Sequence, residues 1–336
     1  MPDIIGSDMD KAHVSDRDET RVSDEPRTSQ TVMPSQDAAT TALTRGLTTK
    51  PPRLGKPRSL WSDAWHDLRR NPIFVISAVL IMFLIVVAIF PSLFTSTDPQ
   101  RCDLAMSNNG RAPGHPFGFD QQGCDVYARV IYGARASVTV GILVTSGVVL
   151  IGGFIGAIAG YYGGIADALL SRVTDVFFAI PILLFAIVFL SAFTKRTIWV
   201  VVGAIMLVGW PSVARIMRGS VISVKESDFV TAAKALGASG TRILGRHILP
   251  NAIAPVIVVA TISLGQFIVL EATLSYLGIG LPGSTVSWGG DINDAQASLR
   301  TAPHVLLYPS VALSITVLAF MLLGDAVRDA LDPKLR

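Results

Sequence analysis

Charge is what this chain has least of. Only 16% of its 336 residues are Asp, Glu, Lys or Arg, while half are hydrophobic and the mean hydropathy is +0.51. A soluble domain of this size needs more charge to cover its surface, so composition favours a membrane protein. Signs of catalysis are also missing. No G-x-x-x-x-G-K-[ST] occurs, so the chain does not cradle ATP phosphates by that route; "GLTTKPPRLGKP" has the letters at the wrong spacing. "GIGLPG", residues 278–283, matches G-x-G-x-x-G by letters. It follows an apolar run rather than a strand, however, and Pro282 interrupts any helix there. His13, His66, His115, His247 and His304 are isolated from one another, so no metal-ligand spacing exists. No serine or cysteine has a recognisable local partner set. A non-catalytic chain without cofactors is expected.

What the chain does have is long apolar runs. About 20 mostly apolar residues cross a hydrocarbon core, and six stretches qualify: 73–94, 136–161, 173–193, 198–217, 252–279 and 304–326. None shows the alternation of a barrel, so the expected class is an all-α membrane protein with six transmembrane helices. Residues 1–59 are rich in Ser, Thr, Asp, Arg and Pro without apolar periodicity, and read as a disordered cytoplasmic tail. No short basic start leads into an apolar h-region, so the first span is expected to be retained as an anchor.

Lys and Arg near span ends set the orientation. Arg45, Lys50, Arg53, Lys56, Arg58, Arg69 and Arg70 precede the first span and put the N-terminus in the cytoplasm. Six crossings return the C-terminal residues 327–336, with Arg328, Lys334 and Arg336, to that side. Residues 60–135 then comprise the first helix and a large extracytoplasmic loop, and 136–326 form a five-helix core. Lys195 and Arg196 run against the rule but are outnumbered. The loop holds Cys102 and Cys124, either a disulfide that persists outside the cytoplasm or two free thiols.

Within the spans, Gly152, Gly156, Gly160 and Gly164 form a ridge at fourfold spacing, suited to close helix packing. Asp175 stands one turn from Arg172 and Asp325 one turn from Arg328, as local ion pairs would. Glu271, about two thirds along its span, is expected to face the bundle interior or a pathway. Pro181, Pro211 and Pro309 are candidates for kinks.

The segment 218–251 between the fourth and fifth runs is basic and carries a small amphipathic pattern. Phe229, Ala232, Ala233 and Leu236 fall at i, i+3, i+4 and i+7. Ser227 or Asp228 can cap the start and Gly237 can end it in a left-handed conformation. A second helix is expected after Ser239, burying Ile243, Leu244, His247 and Ile248 and stopping before Pro250. A helix of about two turns is not stable alone. It needs another surface, either its own bundle, lipid headgroups or a groove on a cytoplasmic partner.

"TAAKALGASGTRILGRHILPN" resembles the cytoplasmic loop of permease subunits of binding-protein-dependent ABC importers. Ala232, Ala233, Gly237, Leu249 and Pro250 match that pattern, while Thr231 replaces the usual Glu and His247 the usual Ile. "HPFGFDQQGCDVYARVIYGARASV", "LSYLGIGLPGSTVSWGGDI" and "TVLAFMLLGDAVRDALDPKLR" are similar, in the right order, to the C-type permease of dipeptide and oligopeptide importers. The resemblance covers roughly residues 61–336 and implies a type I importer permease fold in a bacterial inner membrane. It implies as partners a homologous B-type permease, two ATP-binding cassette ATPase domains and an extracytoplasmic peptide-binding lipoprotein, with no nucleic acid. Asp228–Gly237 would be the helix coupled to the ATPase. Related permeases serve dipeptides, longer peptides, nickel chelates or glutathione. A stand-alone secondary transporter would show inverted repeats and midplane ion sites, and a membrane scaffold would lack transport.

Overall fold

The computed structural model describes residues 65–331. Its helices of eight residues or more, in chain order, are α1 (Pro72–Ile89), α2 (Val126–Tyr162), α3 (Gly164–Phe178), α4 (Ile182–Ser191), α5 (Ile198–Gly209), α6 (Pro211–Lys225), α7 (Asp228–Ala235), α8 (Ala254–Tyr276), α9 (Trp288–Ala295) and α10 (Pro303–Leu331). The expected tail 1–59 and the last residues, with Lys334 and Arg336, lie outside the described residues. Among the described residues there are no strands, only isolated bridges such as Phe119 with Asp125.

Four helices, α1, α2, α8 and α10, are long and apolar enough to cross a membrane singly, and two bent pairs bring the spans up to six where each pair is counted as one span. In the first pair α3 and α4 meet at 76°, with Pro181 as the N-cap of α4. In the second, α5 and α6 meet at 45°, with Pro211 in the first turn of α6. Proline lacks the N–H that would continue the ladder and its ring clashes with the carbonyl one turn back. The third candidate, Pro309, lies inside the continuous helix α10.

Local chemistry fixes the ends. The Asn71 side chain accepts from the Ile73 N–H at 2.9 Å and starts α1. The Asp125 side chain accepts from the Tyr127 N–H at 2.9 Å, so α2 begins at Val126 rather than at residue 136. Arg135 on α2 closes the other end of α1, donating through Nε to the Ala88 carbonyl at 3.0 Å and through Nη2 to that of Ile89 at 2.9 Å. It satisfies acceptors that a helix C-terminus leaves free.

The core is centred on α2. Gly152, Gly156 and Gly160 lie against the backbone and side chains of α6, where a Cβ on Gly160 would come 2.8 Å from the Arg218 carbonyl. The ridge is therefore an interface within the chain. Gly164 does not share it, because Gly163, at φ +66°, ends α2 first. Val140, Val144, Val148 and Ile205 are completely or almost completely buried nearby. Val79, Leu150, Phe154 and Val188 are exposed, as lipid-facing residues of a membrane bundle are.

Two local expectations fail. Asp175 pairs with Arg215 of α6, at 2.8 Å, rather than with Arg172; packing of α3 on α6 overrides the local spacing. Asp325 forms no ion pair with Arg328 among the described residues.

Candidate functional site

The eight-residue helix α7 follows α6 after two residues. Ser227 occupies its N-cap position without a side-chain bond, and Asp228 sits in the first turn, where a negative charge favours the dipole. The Ala238 N–H reaches the Ala233 carbonyl at 3.1 Å and the Gly237 N–H that of Lys234 at 3.0 Å, while Gly237 takes φ +80°. This pattern closes the helix through a left-handed residue.

The face drawn by periodicity is turned outward. Phe229 is 46% exposed and Leu236 89%, with Thr231 and Ala232 exposed and Ala233 half-buried. The helix is held instead by Val230, which is 0% exposed and packs with Ile243 and Ile248. Sequence reading missed Val230 because a single inward residue on a two-turn helix carries no period.

The helix after Ser239 also differs from expectation. Ile243 and Ile248 are buried, while Leu244 and His247 are half-buried. Residues Ile243–Ile248 are π-helical, with the Leu249 N–H bonded to the Leu244 carbonyl, and Leu249–Ala252 continues as helix through Pro250. The wider π turn accommodates the proline, so the helix does not stop before it. Leu249 is half-buried and Pro250 exposed.

At the two bends lies a cavity of about 450 Å³. Phe177 and Leu183 flank the α3–α4 bend, and Ser212 follows the α5–α6 bend. Ser263, Gln266 and Thr273 come from α8. A mainly apolar cavity with a few polar groups is the common form of a small-ligand site. None of these residues is recognisable in sequence, because only the bends bring them together. Glu271 is not among the cavity walls. It is completely buried, its Oε1 accepts from Ser275 Oγ at 2.7 Å, and Ser275 Oγ accepts from the Leu281 N–H at 3.1 Å. The carboxylate thereby ties the end of α8 to the turn beyond it.

The opposite end of the bundle from α7 is covered by the loop between α1 and α2. Cys102 and Cys124 are joined by a disulfide, with Cα atoms 4.1 Å apart. Asp120 accepts from the Gln122 and Cys124 N–H groups, both at 2.8 Å. Trp288 of α9 is buried and donates from Nε1 to the Val130 carbonyl of α2 at 2.9 Å. Beside it, Arg129 Nε donates to Asp291 Oδ1 at 2.9 Å, with Asp120 at 3.6 Å and Asp294 at 3.7 Å. Burial pushes the Asp291 carboxyl up to about 6 against the pull of Arg129, and burial raises Asp294 as well.

Comparison with known proteins agrees with this architecture. The family described as binding-protein-dependent transport system inner membrane component matches residues 152–336, more than half of the chain. The chain belongs to this family. The N-terminal transmembrane domain of oligopeptide transport permease C matches residues 59–113, which makes the chain a DppC/OppC-like ABC permease. The dipeptide transport system permease DppC of Alkalihalophilus pseudofirmus is 37% identical, over 83% of this chain and 91% of its own length. OppC of Bacillus subtilis, an oligopeptide permease, is 36% identical over 84% and 92%. The glutathione permease GsiD of Escherichia coli is 38% identical over 83% and 92%. A crystal structure of an amino acid ABC transporter with histidines aligns at TM-score 0.47 and 17% identity, covering 59% of this chain and 91% of that one. This permease is thus a component of an inner membrane transport system.

Proposed function

We propose that this permease forms half of the pathway of an ATP-driven importer of dipeptides or oligopeptides, with α7 as its docking element for an ATPase. The observation that carries the reading is the outward apolar face of α7, Phe229 and Leu236, on a helix too short to fold unaided. The Lys and Arg distribution supports a cytoplasmic α7 and a disulfide-bonded loop outside. A B-type permease would complete the pathway, two ATP-binding cassette domains would hydrolyse ATP, and an extracytoplasmic lipoprotein would deliver cargo. Closure of the ATPases would move α7, and with it α6 and the bend that borders the cavity. Thr231 is exposed where the related loops have Glu, so docking here rests on apolar contact rather than on a salt bridge at that position.

Phe229→Asp tests the docking role. A charge forced into an apolar groove should weaken ATPase association in the purified complex by at least about tenfold, or about 1.4 kcal/mol. Unchanged co-purification together with unchanged uptake would sink it. Glutathione is a second reading of the cargo, since GsiD is as similar as the peptide permeases. Mass spectrometry of the ligand retained by the binding protein decides between them.

A further inference from the structure

A second, smaller pocket lies at the loop end between the loop, α2, α9 and α10. Its volume is about 90 Å³, far below the roughly 300–1,000 Å³ of small-molecule sites. Only the tip of a larger molecule fits inside. One wall is apolar, formed by Val126, Val305 and Pro309, and the other is anionic, formed by Asp120, Asp291 and Asp294. Among the described residues that line it, Arg129 is the single cation. Three carboxylates against one guanidinium leave an excess of negative charge.

The hydrogen bonding is incomplete in the same sense. Arg129 donates from both Nε and Nη2 to Oδ1 of Asp291. Oδ2 of Asp291 is buried without any hydrogen-bond partner, in a residue only 6% exposed that borders the pocket. A buried acceptor without a donor is costly. What is missing is a donor, and the local charge asks for a positive one. The apolar wall would take a methylene stem, and a compact ammonium on a flexible stem enters where a planar guanidinium fork does not.

Position narrows the source. The pocket shares no lining residue with the cavity at the bends, so cargo in transit need not pass it. Asp294 is half-exposed, and Gln121 and Gln122 are exposed at the same pocket. We propose that this pocket receives the ammonium of a lysine side chain from a protein that docks on the loop end. On the reading given above, on which this inference rests, that protein is the substrate-binding protein.

The test uses the importer complex in nanodiscs with its binding protein bound. A water-soluble carbodiimide activates a carboxylate, and a lysine amine within reach then forms an amide while the carbodiimide leaves as its urea. Mass spectrometry should find Asp294 or Asp120 joined to a lysine of the binding protein. Asp294→Asn, at a half-exposed site that the fold tolerates, should weaken binding of that protein about five- to tenfold. Cross-links elsewhere between the two proteins with none at these carboxylates would overturn the proposal, as would an amide formed to the α-amine of the cargo. A binding protein that never associates with the complex would instead overturn the importer reading itself, together with this one.

Discussion

At the loop end, a disulfide, a buried arginine among three carboxylates and the indole of Trp288 hold the loop, α2 and α9 together. At the other end, one buried side chain, Val230, holds an eight-residue helix whose larger apolar residues face outward. Both ends stand outside the spans, yet one buries charge and the other exposes hydrophobic groups. The first arrangement resists displacement, because breaking it strands a charge in a dry site. The second can be carried by another surface at little cost to its own bundle. On the proposed orientation, the rigid end receives delivery from outside and the loosely held end receives motion from an ATPase.

The largest test of this contrast is Arg129→Ala. It leaves Asp291 buried beside Asp120 and Asp294 without a cation, and should destabilise the loop end by about 3–5 kcal/mol. Thermal unfolding of the purified complex reads this, and a loss below 1 kcal/mol by order of magnitude would mean that the cluster behaves like a surface pair. Reduction of the disulfide, or Cys102→Ser, should cost about 3 kcal/mol by the loop-closure estimate. Its effect on hydrogen exchange should be confined to the loop end and leave α7 unchanged.

A smaller effect follows from pH. The Asp291 carboxyl is held up at about 6, above its ordinary 3.8, so the folded state keeps a proton that the unfolded chain gives up. Stability should therefore fall as pH rises from about 4 to about 6 and level off above, with Asp294 shifted in the same sense. The total is no more than about 3 kcal/mol at 1.36 kcal/mol per pH unit. Asp291→Asn should flatten this fall; a stability that climbs across the window in both proteins would refute the assignment.

Sequence alone supports six apolar spans, because composition and run length report lipid exposure directly. It also carries the family, through motifs spread over most of the chain. It does not reveal that two of the spans are bent pairs enclosing a cavity. Pro181 and Pro211 mark the places but not the angles, which depend on how α3 and α6 pack. The ion pair of Asp175 went to Arg215 instead of Arg172 for the same reason: tertiary packing outweighed a neighbour one turn away. Arg129 and Asp291 are 162 residues apart in sequence, so nothing local announces their pair. The pattern on α7 picks out Phe229 and Leu236, which the structure leaves exposed, yet Val230, the residue that anchors the helix, has no periodic signature.

The smallest expected change in stability is the most discriminating. Leu236 is 89% exposed and contributes almost nothing to its own bundle. Leu236→Ser should therefore leave the unfolding of the isolated permease within about 0.5 kcal/mol of the parent. Val230→Ala, nearer the start of the helix and fully buried, should cost about 1–2 kcal/mol, since it removes two methyl groups from a packed site. If α7 served only its own chain, ATPase association would follow stability, and Val230→Ala alone would impair it. If α7 is a docking helix, Leu236→Ser should impair association as well, while melting of the isolated permease stays unchanged. A variant that weakens the partner without weakening the fold separates a surface made for binding from one merely left uncovered.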